Sequence, residues 1–103
     1  MIARLEARLA GLAASGTTTT YGALARDLGC RVAELTFALE ALMEADKSSG
    51  LPLRAALLNA RGTNLPARGF FDKAALLGHK IADPTDFVAM QRVALARKLT
   101  ENP

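Results

Sequence analysis

The chain has 103 residues, half of them hydrophobic and 22% charged, with a net charge of +3 and one cysteine. That length makes one domain, able to bury about 60–70% of its unfolded surface without metal or disulfide staples. Cys30 has no internal disulfide partner, no apolar run is long enough to span a membrane, and the first residues lack a signal peptide's apolar stretch. The chain therefore reads as a soluble protein of the reducing cytoplasm.

In chain order, Ile2, Leu5, Leu9 and Leu12 recur at helical spacing, which predicts an amphipathic helix over the first fourteen residues. Ser15–Gly16 ends it. Thr17–Thr20 is a β-branched run suited to an extended approach. Thr20 can cap a short second helix through its hydroxyl, with Tyr21, Leu24, Ala25 and Leu28 on one face and Gly29 as its left-handed stop. A third helix is expected over Arg31–Asp46, its buried stripe being Leu35, Ala38, Leu39, Leu42 and Met43.

After the loop Lys47–Gly50, Leu51–Asn59 reads as a short strand with Pro52 near its start, where a missing donor is tolerated. Asn59–Gly69 is rich in turn formers and reads as a wing-like loop. Phe70–Gly78 suits a short helix. The last helix starts at Asp83-Pro84-Thr85-Asp86, with a capping aspartate and a proline at the first helical position, and should run to about Leu99. Its apolar residues form two stripes: Phe87, Met90 and Ala94 on one side, Val88, Leu95 and Leu99 on the other. Either the helix is buried between other elements, or one stripe faces the core and the other a protein partner or second copy.

Charge is unevenly spread. Arg31 stands against Glu34, Glu40, Glu44 and Asp46 in the third helix. Lys47, Arg54, Arg61, Arg68, Lys73 and Lys80 then stand against Asp72 alone. Such a basic segment can attract phosphates, or it can be a solvated loop-and-strand surface. Catalytic and metal-binding patterns are missing: no CxxC pair, no HExxH, no aspartate-rich loop, no phosphate or dinucleotide glycine loop. Nothing places a third group beside Cys30 and His79, so both read as structural and the chain as a non-enzyme without cofactor or metal.

Taken in order, Thr20-Tyr21-Gly22, the helix through Leu42, the "LPL" of Leu51–Leu53 and "RGFFDKAALLG" at Arg68–Gly78 resemble the winged-helix DNA-binding domain of alkylguanine DNA alkyltransferases and alkyltransferase-like proteins. The chain is also similar to small winged-helix modules with a "GLP…GFF"-like run, some found near restriction-type nucleases. The resemblance spans about residues 15–78. It implies a mainly α fold, a winged helix-turn-helix-like single domain with a short β wing and an added C-terminal helix. The divisions would be residues 1–14, 15–78 and 83–100.

The departures are informative. Where the family carries its reactive proline-cysteine-histidine-arginine run, this chain reads Ala56-Leu57-Leu58-Asn59. A leucine has no lone pair with which to attack, so alkyl transfer by that mechanism is excluded. Where the family inserts an arginine into the DNA stack, Glu34 falls, with Arg31 one turn earlier as the nearest basic alternative. Tyr21 matches a position that in the family lies at the DNA surface, although its ring can equally complete the core beside Leu24 and Leu28.

The leading expectation is a non-catalytic DNA-binding protein, regulatory or associated with repair or restriction. Phosphates would be met by Arg31, Arg54, Arg61, Arg68, Lys73 and Lys80, with Thr20 and Tyr21 at the helix start and Thr63 and Asn64 in the wing. The alternative is a protein–protein or dimerisation module on the same scaffold, using Phe87, Val88, Met90, Leu95 and Leu99 of the last helix.

Overall fold

In the computed structural model, α1 (Ile2–Ser15) leads into β1 (Thr19–Thr20), α2 (Tyr21–Leu28) and α3 (Val32–Ser48). A 3-10 turn (Arg54–Leu57) and β2 (Leu58–Asn59) follow, then α4 (Arg68–Leu76) and α5 (Pro84–Glu101). The structure describes the backbone of residues 1–101 and the side chains of residues 1–97.

The helices sit where local chemistry puts them. α1 buries Leu5, Leu9 and Ala13 and ends at Gly16, whose φ of 67° is left-handed. Thr20 caps α2, its hydroxyl oxygen accepting the Ala23 N–H at 3.2 Å. Gly29 closes that helix with φ 70°. Arg4 of α1 donates to the carbonyls of Asp27 and Leu28, and Arg8 pairs with Asp27 at 2.7 Å. Cations therefore sit at the negative end of α2 and tie it to α1. Asp83 caps α5 by accepting from the Thr85 and Asp86 N–H groups.

α2 and α3, joined by a tight turn at Gly29–Arg31, make a helix-turn-helix. The predicted stripe of α3 is buried, and Asp46 joins it at 1% exposure. The short strand expected over Leu51–Asn59 is reduced to its last two residues. Pro52 has no donor, the Leu53 N–H goes to Gln91, and the Arg54 N–H goes to Asp46. With its donors taken by side chains, the segment turns 3-10 instead of pairing. The strand that remains, β2, lies parallel to β1 with Thr19 opposite Leu58 and Thr20 opposite Asn59. The α2–α3 pair is the helical crossover that parallel pairing requires.

The core joins all layers: Leu5 and Leu9 from α1, Leu24 from α2, Leu35 and Met43 from α3, then Leu53, Leu58, Phe70 and Val88. Of the residues proposed for a partner on α5, Val88 and Leu95 belong to this core. Phe87 packs against Phe70 with ring centroids 6.3 Å apart. Met90 is turned outward, 71% exposed, with Val93 beside it. The side chain of Leu99 lies outside the described residues. α5 thus turns its Val88–Leu95 stripe into the core, while the other stripe is half-buried at Phe87 and Ala94 and open to solvent at Met90.

Candidate nucleic-acid interface

The loop between β2 and α4 is fixed at several points. Within it, the Ala60 N–H donates to Leu65 O at 2.8 Å and the Thr63 N–H to Ala60 O. The Thr63 hydroxyl lies within hydrogen-bond reach of both Ala60 O and Leu65 O, and its oxygen accepts the Leu65 N–H. Gly62 takes φ 79°, the left-handed conformation that the bend demands.

Two outside side chains hold the loop to the body. The Tyr21 hydroxyl accepts the Ala67 N–H at 3.1 Å. Burial raises the Tyr21 pKa, the bond to Ala67 and the Arg92 charge opposing it. Arg92 of α5 donates to three acceptors: Ala56 O at 2.8 Å, Asn64 O at 3.0 Å and Asn59 Oδ1 at 2.6 Å. Asn59 in turn donates to the Thr18 hydroxyl at 2.8 Å. Thr20, Tyr21 and the wing-like loop are therefore one connected corner.

The cations behave differently from one another. Arg54 points inward, with Asp46 and Glu6 each 2.8 Å from its guanidinium, and these carboxylates hold its pKa above the ordinary value. Lys73 pairs with Glu44 at 2.6 Å, and Arg31 leans on Glu34 at 3.4 Å. Arg68 is 93% exposed and 3.8 Å from Asp72, too loose and too wet to bind it tightly. Arg61 and Lys80 are exposed and make no ion pair among the described residues. The basic middle segment is thus partly internal. Of its predicted phosphate ligands, Arg61, Arg68 and Lys80 keep their charge available to a partner.

Thr63 serves its own loop, whereas the Asn64 side chain is exposed. Leu57 and Leu58, at the positions compared with the reactive run, are buried in the core. Sequence reasoning missed Asp46, Asn59, Gln91 and Arg92. Asp46 carried a signal: it continues the Leu39–Met43 stripe, so its carboxylate had to be buried and paired. Arg92 carried none, because its acceptors are backbone carbonyls and one amide far away in the chain.

His79 stands with its ring edge toward Phe87, centroids 5.4 Å apart, and its Nε2 is buried with no hydrogen-bond partner among the described residues. Burial, aided by the charge of Lys47, lowers its pKa below the ordinary 6.5. The neutral ring is thus preferred in the fold, so stability is complete above the unfolded value and declines as pH falls below it. Between about pH 7.5 and 5.5, the urea midpoint of the wild type should fall more than that of His79→Leu. Parallel midpoint curves would disprove this.

Cys30 is half-buried against the core. No group of three or more potential metal ligands occurs among the described residues, and none of their helices is long and apolar enough to cross a membrane. No family model, no curated protein and no solved structure matches this chain.

Proposed function

We propose that this chain is a non-catalytic, winged-helix-like DNA-binding domain that touches the phosphate backbone with its loop corner. The observation that carries the reading is the anchored loop. Tyr21 holds its Ala67 end, and Arg92 holds Asn59 at its start and the Asn64 carbonyl at its tip, while the side chains of Arg61 and Asn64 stay exposed. A loop held this way presents its cation without the entropy loss of ordering it on contact. Arg68 and Lys80 would add charge, and Thr20 and Tyr21 would lie beside the backbone. α3 would stay out of the groove, since its outer residues are acidic and repelled by phosphate.

With three phosphate contacts, the salt slope is about −2.7, and affinity should drop about 40-fold between about 50 and 200 mM salt. Binding should be of non-specific strength, with a Kd of about a micromolar or weaker. In a gel-shift titration with mixed-sequence duplex DNA, Arg61→Glu combined with Arg68→Glu should abolish retardation for every sequence. No retardation of the wild type at the lowest salt would refute the reading.

A second reading, a scaffold for protein contacts, is favoured by one observation: Phe37, in the second turn of α3, is 81% exposed.

A further inference from the structure

We infer that the outer face of α3 docks a basic, amphipathic segment of a protein partner, an inference that rests on the scaffold reading. Phe37 lies in the second turn of a 17-residue helix whose leucines and methionine are all buried. Ala33 and Ala41 flank it one turn before and after, and both are exposed. Small neighbours leave the ring standing clear of the helix. An aromatic ring so placed is the kind of anchor that dominates protein interfaces.

The charge around this ring selects the occupant. Glu34 and Glu40 lie three residues to either side of Phe37, and Glu44 lies two turns on, all on the same side of the helix. Lys73 answers Glu44 and Arg31 leans on Glu34, whereas Glu40 has no ion pair among the described residues. Glu40 also borders an apolar cleft of about 160 Å³, lined by Tyr21, Val32, Leu39, Met43 and Phe70 among others. One carboxylate thus stands between a protruding aromatic ring and an apolar recess.

With Glu34 and Glu44 each beside a cation, it is Glu40, without an ion pair among the described residues, that disfavours a phosphate-bearing occupant here. A peptide with lysine or arginine beside aromatic or aliphatic residues satisfies all three features. Its apolar side chain enters the cleft, its cation meets Glu40, and its apolar surface covers Phe37.

The test is a selection of random 16-residue peptides displayed on phage against the intact protein. Enriched peptides should be net positive, with aromatic or aliphatic residues beside the basic ones. As synthetic peptides they should bind Phe37→Ala and Glu40→Lys at least tenfold more weakly. Phe37 is exposed, so Phe37→Ala should keep the wild-type Tm and the comparison stays clean.

Neutral or acidic peptides that depend on Phe37 would overturn the basic-partner assignment while leaving the scaffold reading in place. No enrichment, or equal binding to both variants, would overturn both. A concentration-dependent dimer in sedimentation that dissociates in Phe37→Ala would give the face to a second copy and overturn the proposal. Loss of DNA retardation in Phe37→Ala would give it to nucleic acid, with the same consequence.

Discussion

Asp46→Ala should destabilise the fold by about 3 kcal/mol, lowering Tm by on the order of 15 °C. Asp46 is 1% exposed and accepts from both the backbone N–H and the guanidinium of Arg54. Removing it leaves an N–H without a partner and leaves Arg54 with Glu6 alone. Arg54→Ala should be at least as damaging, because it strands a buried carboxylate, whereas Glu6 stays half in water and loses little. The double change Asp46→Leu with Arg54→Met should be milder than either single change, since apolar groups of similar size can replace a buried ion pair. Equilibrium urea unfolding of the three variants decides the order. If the double variant loses the sum of the single losses, the two side chains act independently and the account fails.

The second large effect is expected at Arg92. Arg92→Leu removes three donated bonds at once, to Ala56 O, Asn59 Oδ1 and Asn64 O. Asn59 is buried, so its amide oxygen would lose its partner in a dry site. The global cost should be about 2–3 kcal/mol. The local effect should be more telling: amide exchange at Ala60, Thr63, Leu65 and Ala67 should quicken while that of α1 and α3 tracks global stability. Arg92→Lys should rescue this poorly, because one ammonium cannot replace a planar fork with three separate acceptors. DNA retardation, if carried by the anchored loop, should weaken in Arg92→Leu although Arg61 is untouched. Unchanged exchange at the loop amides would show that Arg92 does not hold the loop.

These two clusters also mark where sequence reading stopped. The order of elements, the capping by Thr20 and Asp83 and the stops at Gly16 and Gly29 were all legible. So was the buried stripe of α3, whereas Phe37 went unread, because its exposure follows from the packing around α3. The strand at Leu51 was misread because apolar residues beside a proline suit a strand equally well, and nothing local shows that Gln91 and Asp46 take its donors. Arg54 was counted as a phosphate ligand for the same reason: a positive charge in a basic run looks free until its carboxylates are placed.

Helical period and caps depend on residues within a turn or two of each other, so a one-dimensional pattern suffices to read them. The pairing of charges depends on residues brought together by packing. Arg54 meets Asp46 across 8 positions and Glu6 across 48, and Arg92 meets Asn59 across 33. Residue types alone therefore determined a small helical domain with an acidic third helix and a basic middle. Only tertiary packing decided which of those charges neutralise one another, and which are left exposed on the loop and on α3.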